Sequence, residues 1–239
     1  MKAVISQSMY FPWVGLLEQI RLSDVFVHYD DVQFTRGFYN RVQVKTPRGM
    51  QWLTVPLRDQ HRGQLIDEVR VDDRIDWRTQ HIDVLKQAYA NAPHRQEMIA
   101  LVEDVFSQPI TSLADVSRNS ILALAKYFDL TRDTRFVFSR ELGVSGSSSL
   151  RLRDLCVAMD ANVYITGHGA RNYLDHQLFE DKGIEVRYMQ YACSAYPQMH
   201  GEFTPYVTGL DLVANCGKDG RNVILSESIN WRAFINGSD

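Results

Sequence analysis

The sequence contains little cysteine and no long hydrophobic run. Its 239 residues include only three cysteines, Cys156, Cys193 and Cys216, and no Cys-x-x-Cys pair. An odd number of widely spaced cysteines argues against a disulfide framework and a thiolate zinc site, so we expect reduced thiols. No stretch approaches the roughly 20 apolar residues of a membrane span, and the first apolar run ends at Ser6, too early for a signal-peptide core. We therefore expect a soluble, cytoplasmic protein with no membrane partner.

An excess of positive charge is also missing. The chain has 26 basic and 29 acidic residues, a formal net charge of -3. Nucleic-acid binding relies on a basic surface that displaces counterions from phosphates, so we expect no nucleic-acid partner. The 45% of hydrophobic residues suffices for a sizeable core. The expected partner is a small-molecule substrate, and the oligomeric state stays open.

Strand and helix patterns alternate at both ends of the chain. The predicted strands cover residues 3–6, 24–29, 135–138, 162–166 and 184–188. The predicted helices cover 14–21, Ser148 to Met159 with Ser148 as cap, and 173–182. Strands separated by helices pair in parallel, so the predicted fold class is α/β. We expect a three-layer parallel sheet that is Rossmann-like, with a nucleotidyltransferase or pantothenate-synthetase type as one form of it.

The middle of the chain interrupts this alternation. Residues 36–75 contain short alternating runs separated by turns, which predict an inserted antiparallel β segment. Residues 76–130 show helical apolar spacing with breaks near Pro93 and Pro109, which predicts two or three helices. We predict a single domain over residues 1–235 that includes both segments, followed by a frayed tail over 236–239.

Three segments that could bind a ligand follow predicted strands. Ligands of open parallel sheets bind beyond the carboxyl ends of the strands, so these segments can converge on one pocket. In the first, Gln7 and Tyr10 could present polar groups, while Pro12 and Trp13 could start a helix whose amides face an anion. The alternative is that the aromatic residues of this loop only cover the core.

The second segment contains two adjacent acids. Asp30 or Asp31 could orient a ribose hydroxyl, hold Mg²⁺ or act as a base, because a partly desolvated carboxylate beside a like charge has a raised pKa. Adjacent strand residues point to opposite faces, so we expect only one of the two to face the ligand. A solvated turn is the alternative. Amides and cations that could close over the same pocket and suit a phosphate or carboxylate are Gln33, Asn40, Arg41 and Lys45.

The third segment is the turn Gly167-His168-Gly169 after a predicted strand. Its backbone amides could hold phosphate oxygens, although the third glycine of the dinucleotide motif and a Walker lysine are absent. Turns of this kind also occur where no ligand binds. Other candidate pocket residues are Tyr173, Asp175, Tyr196 and Gln198.

Two further combinations carry less weight. Cys193 and His200 could form a nucleophile pair, but a single cysteine in such a segment is more often an inert thiol. His168, Asp175 and His176 could ligate a metal, yet residues in a turn and on the following helix need not converge. We predict no metal site.

A set of short motifs runs in order along nearly the whole chain. The set includes Tyr10-Phe11-Pro12-Trp13, Asp30-Asp31-Val32-Gln33-Phe34, Trp52-Leu53-Thr54-Val55-Pro56, Gly167-His168-Gly169 and Tyr196-Pro197-Gln198. Together the motifs resemble the WbqC-like protein family. Members are associated with bacterial surface-polysaccharide loci, such as those for O-antigen, and with other biosynthetic clusters. The resemblance implies modification of a nucleotide sugar or related metabolite. In one departure, Ser6-Gln7-Ser8-Met9 stands where His-Gln-Pro-Asn is expected.

A second resemblance, at the level of fold alone, is to pantothenate synthetases and related adenylate-forming ligases. It implies ATP with Mg²⁺, or an activated acyl donor, as the cofactor. We predict a transferase or ligase that forms an amide or ester on a sugar- or amino-acid-like acceptor by positioning and charge neutralisation. The candidate catalytic residues are Asp30, Asp31, Arg41 and Lys45. The candidate substrate-binding residues are Gln7, Tyr10, Trp13, Gln33, Asn40, Tyr173, Asp175, Tyr196 and Gln198, and Gly167, His168 and Gly169 are the candidate phosphate turn. The alternative is a noncatalytic small-ligand-binding or scaffold protein of a biosynthetic complex.

Overall fold

A six-stranded, mostly parallel sheet forms the centre of the computed structural model, which describes residues 1–237. The strands are β1 (Lys2–Ser6), β2 (Val25–His28), β3 (Arg41–Thr46), β4 (Gly49–Thr54), β5 (Leu57–Arg58), β6 (Arg70–Val71), β7 (Arg135–Phe138), β8 (Val163–Thr166), β9 (Glu185–Gln190) and β10 (Glu227–Asn230). The helices are α1 (Val14–Leu22), α2 (Trp77–Ala88), α3 (Arg95–Ser107), α4 (Leu113–Tyr127), α5 (Ser148–Ala158), α6 (Gln177–Glu180), α7 (Gly209–Cys216) and α8 (Trp231–Asn236). Of the predicted tail, Ser238 and Asp239 lie outside the described residues.

The central sheet has the strand order β10-β9-β8-β1-β2-β7. Its neighbours pair in parallel except for β10, which runs antiparallel to β9. The predicted α/β class is confirmed, and the predicted parallel pairing is confirmed for every pair of the central sheet except β9 with β10. None of the helices within residues 1–237 combines the length and apolar character that crossing a membrane requires.

Helices cover both faces of the sheet because apolar side chains alternate along each strand. Val4 and Phe26 belong to a core shared with α1, α4 and α7, whereas Ile5 and Val27 belong to a second core shared with α5 and α6. Every residue of α1 from Val14 to Ile20 is buried, including two polar ones. The carboxyl edge of the sheet is left for the loops that follow the strands.

The inserted segments form largely as predicted. β3 and β4 make an antiparallel hairpin around a turn at residues 47–48, and β5 pairs with β6. The helices α3 and α4 begin just after the predicted interruptions near Pro93 and Pro109. At the start of α4, Ser112 and Asp115 cap each other's backbone N–H groups, a motif that fixes a helix start. The prediction of a single domain over 1–235 stays a prediction.

Two predicted helices differ from the observed ones. The helix expected over 173–182 is only the four residues of α6, because residues 168–172 already form a 3₁₀ turn and Asp175 accepts the backbone N–H of Gln177. Ser148 does not cap α5: it is the first residue of that helix, with a left-handed φ of 55°. The late elements α7, β10 and α8 were not predicted.

Candidate functional site

The order of the parallel strands reverses beside β1. The chain adds β2 and β7 on one side of β1, whereas β8 and β9 lie on its other side. Where the order reverses in this way, the loops that follow the two central strands separate and leave a crevice at the carboxyl edge. A cavity of about 560 Å³ lies at this position, lined by the loops after β1, β2 and β8. We call it the switch-point crevice.

Hydroxyl and amide groups dominate the lining of the switch-point crevice. Its polar side chains are Ser6, Gln7, Gln19, Tyr29, Tyr39, Ser148, Tyr164, Thr166 and Tyr173. Gly167, Gly169 and Ala170 contribute backbone from the turn after β8. Of the predicted site residues, the fold therefore brings Gln7, Tyr173 and the two glycines together.

The lining of the crevice carries no formal charge. Within residues 1–237, the side chains that line it include no carboxylate, ammonium, guanidinium, imidazole or thiol. Burial raises the pKa of Tyr29, Tyr39 and Tyr173, and it holds the pKa of Tyr164 well above its ordinary value. These phenols therefore keep their protons at neutral pH. Such a set of donors, acceptors and ring faces suits a neutral, hydroxyl-rich group.

Asp31 lies next to the crevice wall in an ion pair. Its carboxylate accepts hydrogen bonds from Arg151 and from the Ser139 hydroxyl. The central carbon of the Arg151 guanidinium is 5.0 Å from the centre of the Tyr29 ring, so the pair also supports a lining residue. Asp31 itself is not among the lining residues.

Asp30 is fully buried in a second polar cluster. The Ser8 backbone N–H donates to Asp30 Oδ1 at 2.8 Å, and the Ser8 hydroxyl donates to Oδ2 at 2.8 Å. Arg118 Nε donates to the same Oδ2 at 2.7 Å. Burial raises the pKa of Asp30, while Arg118 and the Ser8 bonds act in the opposite direction. Three donors thus hold this carboxylate away from the crevice.

The contact of Ser8, His28 and Asp30 is not a nucleophile triad. Since the Ser8 hydroxyl donates to Asp30, the Nδ1 of His28, 2.8 Å from Ser8 Oγ, must be the donor to that oxygen. In a triad the histidine accepts the serine proton, and the carboxylate bonds to the histidine. All three side chains are buried, and none lines the switch-point crevice. Their arrangement is structural.

Replacing Ser8 with proline, the residue expected from the family resemblance, should destabilise this chain. Proline removes both the N–H and the hydroxyl that Asp30 accepts, so we expect a loss of about 2–3 kcal/mol in the free energy of unfolding. Urea unfolding of Ser8→Pro and Ser8→Ala measures it. Ser8→Ala keeps the N–H, so it should lose about half as much; equal stability of Ser8→Pro and the parent chain would refute the assigned bonds.

Tyr10, Trp13 and Arg41 lie at a different cavity. We call this cavity, of about 520 Å³, the aromatic cavity; its lining is Met9, Tyr10, Pro12, Trp13, Phe38, Arg41, Val42, Gln43, Trp52 and Tyr206. Asn40 lines a shallower depression of about 330 Å³ that Arg41 shares. Gln33 is exposed and pairs through its backbone with Leu65. The predicted convergence of all these residues on one pocket is therefore not found.

Lys45, Tyr196 and Gln198 meet one another away from both cavities. Lys45 is buried, and its Nζ donates to Gln198 Oε1 at 3.1 Å and to the carbonyl of Glu202 at 2.6 Å. The Tyr196 hydroxyl donates to Asp211 Oδ2 at 2.9 Å and accepts from Gln198 Nε2 at 3.0 Å. This network fixes the aromatic, proline-rich segment.

The remaining candidates also have protein partners. His168 Nε2 lies 2.7 Å from the carbonyl of Met189, outside the crevice lining, and His200 Nε2 lies 2.6 Å from the carbonyl of Ala88. All three cysteines are free. Cys193 is an exposed residue, and partial desolvation of its thiol raises the pKa of that group. No group of three or more His, Cys, Asp or Glu within residues 1–237 is placed to hold a metal.

Sequence reasoning missed several residues of the site. Ser6, Tyr29 and Thr166 each stand at or just beyond a strand end, so the rule that located Gln7 could have found them. Tyr39, Gln19 and Ser148 reach the crevice from the loop before β3 and from helices, and no local pattern marks them. Arg118 and Arg151, the partners of the two acids, lie on α4 and α5, far along the chain.

Fold and site together define an α/β protein with a crevice at the reversal of its strand order. The chain belongs to the WbqC-like protein family, whose profile matches residues 7–223. It is also similar to the uncharacterized protein Rv1507c of Mycobacterium tuberculosis, at 33% identity over 223 residues, 91% of this chain and 95% of that protein. No solved structure matches the chain significantly. Family membership is consistent with a biosynthetic role and gives no specific activity.

Proposed function

We propose that the protein is a biosynthetic enzyme that modifies a sugar-like small molecule, by acyl or aminoacyl transfer or by amide formation. The observation that carries the proposal is the neutral lining of the switch-point crevice. Four protonated tyrosines, two glutamines and three hydroxyls offer directional hydrogen bonds without charge. These groups match sugar or ribose hydroxyls better than they match an amino acid, whose two charges would be desolvated without partners.

The strand order supports a nucleotide-linked ligand. Counting only the parallel strands in chain order, the sheet reads 3-2-1-4-5, the order of dinucleotide-binding sheets, and the crevice lies at the reversal. Nucleotide sugars combine a ribose and a sugar in one molecule. The polar lining residues support a ribose-bearing or sugar-bearing ligand more directly than the strand order does.

The crevice fits the uncharged part of ATP better than its triphosphate. Its side chains offer no cation to phosphates and no carboxylate to Mg²⁺. The backbone of the turn from Gly167 to Gly169 lies at the crevice, where its amides could bind an anion. A carbon atom on Gly169 would meet nothing within 4 Å, so that turn leaves open space. An activated acyl donor is therefore the preferred second reactant.

One observation favours a noncatalytic role instead. Among residues 1–237, the crevice lining offers no general base beyond its phenols, and Asp30 and Asp31 are held in ion pairs. Ser6, which lines the crevice, stands where the family resemblance places a histidine. A member without that imidazole could bind the ligand and present it to a partner.

Ligand-induced stabilisation tests the proposal. At 100 times its dissociation constant a ligand stabilises the fold by about 2.7 kcal/mol, which corresponds to a rise in Tm of about 5–11 °C for a chain of this size. We expect that rise with at least one of a panel of UDP-, GDP- and dTDP-sugars, measured by thermal shift. ATP and CoA esters complete the panel.

Matched tyrosine variants locate the binding. Tyr173→Phe removes one hydroxyl from the crevice and should reduce the shift that a sugar nucleotide produces, whereas Tyr206→Phe changes a similarly exposed tyrosine of the aromatic cavity and should not reduce that shift. Turnover of the stabilising ligand with an acyl donor separates enzyme from binding protein. The absence of any shift across the panel would refute the proposed site.

A further inference from the structure

The aromatic cavity gathers exposed aromatic rings. Residues 1–237 contain four exposed aromatic side chains, and three of them, Phe38, Trp52 and Tyr206, line this cavity with exposures of 63%, 37% and 65%. The fourth, Tyr173, lines the switch-point crevice. A single exposed ring needs no explanation, but a cluster that shares one concave surface is typical of a binding site. An apolar ligand body would cover these rings.

A cation stands at the wall of the same cavity. The central carbon of the Arg41 guanidinium lies 4.5 Å from the centre of the Trp52 ring, in a cation–π contact. Within the described residues no carboxylate lies at ion-pairing distance from Arg41. A guanidinium without a carboxylate partner keeps its N–H groups available for a bidentate bond to an anion. The cavity therefore offers apolar surface and one positive charge.

The floor of the cavity is fixed before any ligand arrives. Tyr10 is buried, its hydroxyl lies 2.9 Å from His81 Nδ1, and its backbone N–H donates to the Tyr39 carbonyl at 3.0 Å. The Trp13 ring lies over Gly15, where an added Cβ would come within 2.2 Å of the indole. A preformed surface of this kind binds without the cost of ordering it.

One loop separates the aromatic cavity from the switch-point crevice. Ser6 and Gln7 line the crevice, whereas Met9, Tyr10, Pro12 and Trp13 line the aromatic cavity. The neighbouring segment is divided in the same way, since Phe38 lines the cavity and Tyr39 the crevice. Two binding sites on the two sides of one loop suit a reaction between two ligands.

We propose that the aromatic cavity binds a second ligand, an anion with an aromatic or otherwise apolar body, whose acidic group pairs with Arg41. Resting on the proposed function, this assigns the substrate class of the second site: an acyl compound that carries a carboxylate or phosphate. Arg41 binds the acid, and Phe38, Trp52 and Tyr206 cover the body. The sugar-like ligand occupies the other side of the loop.

Two fluorescent probes test the assignment: 8-anilinonaphthalene-1-sulfonate, which is anionic and aromatic, and its neutral analogue N-phenyl-1-naphthylamine. We expect saturable one-to-one binding of both, with the sulfonate about tenfold tighter because it adds a charge-assisted hydrogen bond. Arg41→Gln should remove that preference and leave the neutral probe unchanged. Arg48→Gln, which removes the same charge from an exposed site on the β3–β4 hairpin, should keep it.

Ring deletions locate the probes. Phe38→Ala and Tyr206→Ala, both at exposed positions, should weaken both probes about fivefold or more, and Tyr173→Ala at the crevice should not. Equal affinity of the two probes, no binding, or a preference that survives Arg41→Gln would overturn the proposal, as would loss of binding in Tyr173→Ala. Because no sugar nucleotide takes part, this outcome is independent of the thermal-shift panel.

Discussion

Replacing Asp30 with alanine is expected to lower the free energy of unfolding by about 3–5 kcal/mol, the range for breaking a buried ion pair by removing one partner. The Asp30 side chain is 0% exposed and that of Arg118 is 21% exposed. Alanine leaves the Ser8 N–H, the Ser8 hydroxyl and the Arg118 Nε without their shared acceptor. Urea unfolding at constant pH measures the loss.

Two further variants make this test specific. Glu103→Ala removes the same charge from an exposed ion pair, in which Lys86 Nζ lies 3.8 Å from Glu103 Oε1. This variant should lose far less free energy of unfolding than Asp30→Ala. The double variant Asp30→Ala with Arg118→Met should lose about 0.5–3 kcal/mol less than the two single variants lose together. The reason is that the second change removes the cation that the first leaves unpaired. A loss below about 1 kcal/mol for Asp30→Ala would contradict the structural role of this acid and restore it as a catalytic candidate.

Two buried histidines are expected to contribute a loss of about 4 kcal/mol of stability on acidification from pH 7.5 to 5. The buried acids Glu18, Asp30 and Asp211 oppose this loss, because burial raises their pKa values. Burial lowers the pKa of His28 to about 3, with the Arg118 charge as a smaller cause, and burial lowers the pKa of His81 to about 4. In the unfolded chain both titrate near 6.5. Below that pH the unfolded state binds protons that the folded state does not, so stability falls as the pH falls. Each residue contributes about 2 kcal/mol at pH 5.

Urea unfolding across this pH range, on the parent chain and on His28→Gln, measures the effect. Glutamine can donate to Ser8 Oγ and does not titrate, so the variant should start less stable at pH 7.5 and lose less on acidification. The two stability curves should therefore converge toward pH 5. His61→Gln, at an exposed position, is the matched control. An unchanged pH slope in His28→Gln would show that His28 is not held neutral.

The sequence was most informative where the spacing of hydrophobic residues alone determines the type and bounds of a helix or strand. β1, α1 and β2 form within two residues of their predicted bounds, because buried apolar positions alternate in the strands and recur helically between them. The late elements α7, β10 and α8 were not predicted; they are short, with 8, 4 and 6 residues. The length of α6 was overestimated, since the 3₁₀ turn before it and the bond from the Gln177 N–H to Asp175 are not revealed by helix propensity.

The candidate site could be predicted only in part. Gln7 and Gly167 meet because β1 and β8 are neighbours, which places the residues after both strands at one edge. Arg41 and Lys45 do not share a pocket, because the rise of about 3.3 Å per residue separates positions four apart on β3 by about 13 Å. The division into two cavities follows from the path of the loop after β1, which the sequence pattern does not specify.

The bonds of Ser8 to Asp30 also bear on how this family can change over time. A serine at position 8 supplies two donors to a buried carboxylate, and a proline there supplies neither. Exchanging one for the other leaves Asp30 with Arg118 as its remaining donor, so the effect of a residue at position 8 depends on the residue at position 30.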